Sequence, residues 1–73
     1  MKIYKITKEY RNASDVYYIE LNDNEEFTKS MAESIGENTN GGHNYGYTIK
    51  NEMVNDIPVD GKVLPRTREI RIF

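Results

Sequence analysis

Cysteine is absent from this chain of 73 residues. No disulfide can therefore brace the fold, and no thiolate metal site can form. Histidine occurs once, at His43. A zinc site would need His43 together with carboxylates, an unusual donor set, so neither a metal nor a cofactor is expected. No apolar run approaches the roughly 18 residues of a spanning helix, so no membrane association is expected. Met1-Lys2-Ile3-Tyr4-Lys5 leads into more charge rather than an apolar stretch, which argues against a secretory signal. Asn12-Ala13-Ser14 is then a chance match to a glycosylation acceptor, and the cytoplasm is the expected location.

Large apolar side chains are also scarce. Leu, Ile, Val and Phe supply 16 of the 73 residues, about 22%, just above the level at which disorder becomes the default. The length fits one small domain over residues 1–73. Such a domain buries only about 60% of its unfolded surface. Six tyrosines and three methionines make up part of the deficit. The expected core is thin, with tyrosine rings burying their faces and keeping their hydroxyls wet. Self-association would add burial, which favours a homo-oligomer, a dimer first.

The formal net charge is −2, but the signs are segregated. Residues 1–14 sum to +3 and residues 61–73 to +3. Residues 15–37 sum to −6 and residues 38–60 to −2. Basic ends thus flank an acidic middle.

Periodicity places the elements. A helix is expected from about Asp23 to Ile35. Asn22 or Asp23 can cap it, with Glu25 or Glu26 three residues on. Phe27, Met31 and Ile35 recur every four residues on one face, and Gly36 suits a left-handed C-cap. Thr28, Lys29 and Glu33 fall away from that face. Lys2–Lys8 and Val16–Leu21 read as an antiparallel hairpin around the polar turn 11–15. In the second strand Tyr17, Ile19 and Leu21 form the core face. Tyr45–Asn51 alternates cleanly and is the third strand. Asp60-Gly61 signals a hairpin between Ile57-Pro58-Val59 and Lys62-Val63-Leu64, and Glu69–Phe73 closes the chain as a strand. The fold class is α+β: a small antiparallel sheet of four to five strands with one short helix packed on one face.

Four groups of residues are candidates for function. The loop Asn40–Tyr47 combines glycines, His43, Tyr45 and Tyr47, and its free N–H groups could form an anion-binding nest. It lacks the Gly-Lys-Ser/Thr of a phosphate loop and also reads as a plain connection. His43 as a base has no serine in a nucleophile motif to serve. The acids Glu25, Glu26, Glu33 and Glu37 can face a partner, or simply keep the helix soluble. The basic ends, Lys2, Lys5, Lys8, Arg66, Arg68 and Arg71, could hold a phosphate backbone beside Tyr4 and Tyr10, or protect sheet edges.

The sequence therefore favours a small non-enzymatic protein-binding module or inhibitor. Its expected partner is a protein with a basic surface, met by Glu25, Glu26, Glu33, Glu37, His43, Tyr45 and Tyr47. The Asn-, Ile-, Lys- and Tyr-heavy composition resembles that of accessory proteins of phages and mobile elements. The alternative is a nucleic-acid-binding protein using Lys2, Lys5, Lys8, Arg66, Arg68 and Arg71.

Overall fold

The computed structural model describes residues 1–39 and 46–65. Three strands and one helix follow in the order β1 (Lys2–Glu9), β2 (Ser14–Leu21), α1 (Lys29–Asn38) and β3 (Thr48–Val54). The class is α+β. The sheet is antiparallel with β1 in the centre, in the order β2-β1-β3. Four to five strands were expected; three are present among the described residues, and the expected strand Glu69–Phe73 lies outside them.

The β1–β2 hairpin forms as its pattern dictates. Lys2 faces Leu21 and Glu9 faces Ser14, with Tyr10 N donating to Ala13 O (2.7 Å) in the connection. Because side chains alternate along a strand, Tyr4, Ile6 and Lys8 share a face with Tyr17, Ile19 and Leu21. All six are buried. Met31 and Ile35 of α1 close over this face, and Leu64 joins the cluster from the C-terminal side. Phe27 and Ile49 pack at its margin, with the Phe27 ring 5.6 Å from that of Tyr4.

The helix begins later than its capping signals suggest. Asn22–Glu25 is instead a turn closed by Glu25 N to Asn22 O (3.0 Å). The Glu25 carboxylate accepts from Asn22 N (2.8 Å), so a box-like bond is made without a helix behind it. The Glu25 carbonyl, which a continuing helix would need, accepts from Lys2 Nζ (2.8 Å) instead. The true N-cap is Thr28, whose hydroxyl accepts from Met31 N (3.1 Å). Thr28 N in turn reaches the Met31 sulfur (3.4 Å). Phe27 thus precedes the helix, although it still reaches the core. At the other end Gly36 is inside the helix, not its C-cap. The cap is Thr39, with its N–H bonded to Ile35 O.

The Asp60-Gly61 hairpin does not form either. Gly61 N donates to Pro58 O (2.9 Å), which makes a turn, but the second arm leaves the first and runs beside β2. Tyr18 N donates to Lys62 O and Leu64 N to Tyr18 O, both at 2.8 Å, and Val63 pairs with Tyr18 in parallel. Gly61 lies so close to the Tyr18 ring that a Cβ would come 3.1 Å from Tyr18 Cδ1. Burial of Tyr18, on the face opposite the helix, follows from this strap. The third strand is displaced too, to Thr48–Val54 rather than 45–51.

This packing separates two positions on one helix. Ile35→Ala should lower the unfolding free energy by about 2–5 kcal/mol, because Ile35 is fully enclosed. Glu33→Ala, on the exposed side, should change it by less than about 0.5 kcal/mol. Urea denaturation of both variants checks the assignment of faces.

Candidate functional site

The most constrained polar site lies where β1 meets the end of α1. Lys8 continues the core face of Tyr4 and Ile6 and has 0% exposure. An ammonium taken out of water is costly unless donors and charge are matched. Lys8 Nζ donates to the carbonyls of Gly36 (2.8 Å) and Thr39 (3.1 Å) and to the Thr39 hydroxyl (3.4 Å). Those carbonyls belong to the helix end, where backbone acceptors lack intrahelical partners and the helix dipole is negative. The Tyr47 ring centroid is 4.7 Å from Nζ and that of Tyr10 is 5.4 Å, inside the range of cation–π attraction. Thr39 completes the end by donating its hydroxyl to Ile35 O (2.6 Å).

Gly36 makes this arrangement possible. Its missing Cβ leaves the space into which the Tyr47 ring packs. Tyr17 also borders the site. Burial pushes the Tyr17 phenol above its ordinary value, while a hydrogen bond with Thr39 pulls it down more weakly, and nearby Asp15 and Tyr10 raise it further. Lys62 Nζ lies 5.6 Å from the centroid of the Tyr17 ring.

The expected binding residues are distributed around this centre. Glu33 and Glu37 are exposed on α1, one turn apart. Glu26 is exposed ahead of the helix, with Oε1 3.4 Å from Lys2 Nζ. Glu25 is half-buried and held in its turn. Tyr47 is half-buried against Gly36 and Lys8 rather than presented as a free ring. His43 and Tyr45 lie outside the described residues.

The described basic candidates, Lys2, Lys5 and Lys8, do not share one surface. Lys2 and Lys8 point to the helix side, where Lys2 holds Glu25 and Glu26 and Lys8 is enclosed. Lys5 faces the other side, in a shallow groove shared with Thr7, Glu9, Lys50 and Glu52. Arg66, Arg68 and Arg71 lie outside the described residues.

Among the described residues, no group of three or more His, Cys, Asp or Glu is placed to hold a metal ion. No described helix is long and apolar enough to cross a membrane. Comparison with family models, curated proteins and solved structures finds no match to this chain.

Sequence reasoning placed Lys8 on the surface. The signal against that was the period-two run Tyr4-Ile6-Lys8, which carries the lysine onto the core face. Thr28 was legible as a cap had a methionine been allowed at the position where Glu or Gln usually closes the box.

Two outcomes follow for the helix end. Lys8→Met should cost about 2–5 kcal/mol, because it orphans buried carbonyls at about 1–3 kcal/mol each; chemical denaturation measures it. Gly36→Ala should destabilise the protein, although alanine is about 1 kcal/mol better than glycine in a helix. In a Tyr47→Ala background the same change should become stabilising, and a double-mutant cycle reads the coupling.

A third outcome concerns pH. The folded state holds the Tyr17 proton more tightly than the unfolded chain, whose tyrosines ionise near the ordinary value of 10.0. That contribution is complete below this pH and is lost as the pH rises through the higher folded-state value. Stability should therefore fall above about pH 10. Tyr17→Phe should flatten the fall, as followed by thermal melts across the alkaline range.

Proposed function

We infer that this protein is a small binding module that acts without catalysis. It engages a basic protein surface through the exposed acids around α1. The observation that supports this reading is the withdrawal of Lys8 from the surface. Over the whole chain ten lysines and arginines stand against twelve acids, a balance of −2. Lys8 is one of the ten and is buried, and Lys2 is engaged with Glu25 and Glu26. Glu26 shares its charge with Lys2, so the exposed charges on α1 itself are Glu33 and Glu37 against Lys29. A concentration of one sign steers a partner of the other sign and sets its rate of arrival.

The experiment is a pull-down from the native host, followed by kinetics on the recovered partner. Glu33→Lys should slow association about threefold at low salt and flatten its salt dependence, with thermal stability unchanged. Dissociation should change little. Retention on heparin or duplex DNA that weakens steeply with salt would instead favour nucleic-acid binding.

A further inference from the structure

The two edges of the sheet are treated differently. The outer edge of β2 is bonded by the strap at Lys62 and Leu64. Among the described residues, β3 pairs with β1 and with no other strand. Its outer N–H and C=O groups form a template for another strand, and Met53 beside them is 60% exposed.

We propose that β3 pairs antiparallel with β3 of a second copy of this chain, about a two-fold axis through Asn51, to give one continuous sheet. This inference is independent of the acidic binding face. The sequence Thr48-Ile49-Lys50-Asn51-Glu52-Met53-Val54 is complementary to itself in that register. Ile49 faces the partner's Met53, Lys50 faces the partner's Glu52, and the two Asn51 residues meet on the axis. Opposite charges and apolar pairs directly across a ladder stabilise it.

Other registers lose this match. A shift of one step that keeps both helices on the same side sets Lys50 against Lys50, or Glu52 against Glu52. A shift of the other parity is excluded by the edge itself, because turning one sheet over while β3 still faces β3 makes the two strands parallel. A lysine on an edge strand ordinarily keeps a second strand away; here its opposite number is a carboxylate.

The β1–β3 register fixes what each face would carry. Ile49, Asn51 and Met53 lie opposite Lys8, Ile6 and Tyr4 of β1, so they are on the helix side. Both helices of the dimer therefore stand on one side of the joined sheet, with Ile49 and Met53 pairs between them. Lys50 and Glu52 lie on the other side, beside Thr7 and Lys5. Two strands of seven residues make a small interface, so the dissociation constant is expected on the order of 100 μM.

The absence of cysteine makes the geometry testable by single substitutions. Residues directly opposite in an antiparallel pair have Cα atoms about 4.5–5.5 Å apart, which suits a disulfide. Asn51→Cys should therefore form a covalent dimer readily under mild oxidation. Thr48→Cys should not, because its own copy lies about 20 Å away, six residues along the ladder. In sedimentation equilibrium, Glu52→Lys should weaken the dimer at least tenfold. Adding Lys50→Glu should restore it to within about threefold, since the pairs are then exchanged rather than lost. Lys50 also meets Glu9 within the chain (3.2 Å), so Glu52→Lys is the cleaner single change. Circular dichroism confirms that each variant folds. A protein that stays monomeric up to about 1 mM overturns the proposal. So does a dimer that Glu52→Lys leaves unchanged, or one that Thr48→Cys links as fast as Asn51→Cys.

Discussion

The bond between Lys8 and the end of α1 is the constraint on which the rest of this structure depends. A ten-residue helix is too short to be stable alone in water, and no disulfide ties it down. Met31 and Ile35 anchor it through apolar burial. Lys8 fixes its end by satisfying Gly36 and Thr39 carbonyls from the central strand. Burial without direction would let the helix slide; three hydrogen bonds to named acceptors do not. Gly36 and Tyr47 complete the same device, since the ring packs where the glycine has no side chain and also lies against Nζ.

Placing a cation in the core has a consequence at the surface. The basic stripe that the N-terminal lysines promise is divided between helix side, core and opposite face. Among the described residues, the exposed charges of α1 are Glu33 and Glu37 against Lys29. A charge tally along the sequence counts Lys8 as surface charge, whereas the fold uses it as an internal cap. The functional reading of an acidic face thus rests on the same interaction that holds the helix.

Edges complete the account of the sheet. A central β1 saturates its backbone on both sides. β2 gains a strap whose turn depends on Gly61 fitting beneath Tyr18, and that strap turns a tyrosine on the polar face into a buried one. β3 carries alternating charge and apolar groups that match a copy of themselves.

The sequence by itself determined the class, the first hairpin and the main core face. Each of these rests on local periodicity: Tyr17, Ile19 and Leu21 alternate, and Met31 and Ile35 recur at helical spacing. It left the helix start open, because Asn22–Glu25 and Thr28–Met31 both carry capping chemistry, and only Lys2 reaching the Glu25 carbonyl separates them. It could not assign Gly36, whose lack of a side chain suits a C-cap and a close approach equally; the position of Tyr47 settles which. It misread Asp60-Gly61, since a turn signal fixes a reversal but not the partner of the strand that leaves it, and here the open edge of β2 takes that strand. The proposed site was legible only as a set of acids, while Lys8, the residue that shapes it, was hidden by its charge. Tertiary structure decided these points because each depends on a hydrogen-bond partner supplied from another segment, and a local pattern carries no record of where such a partner will come from.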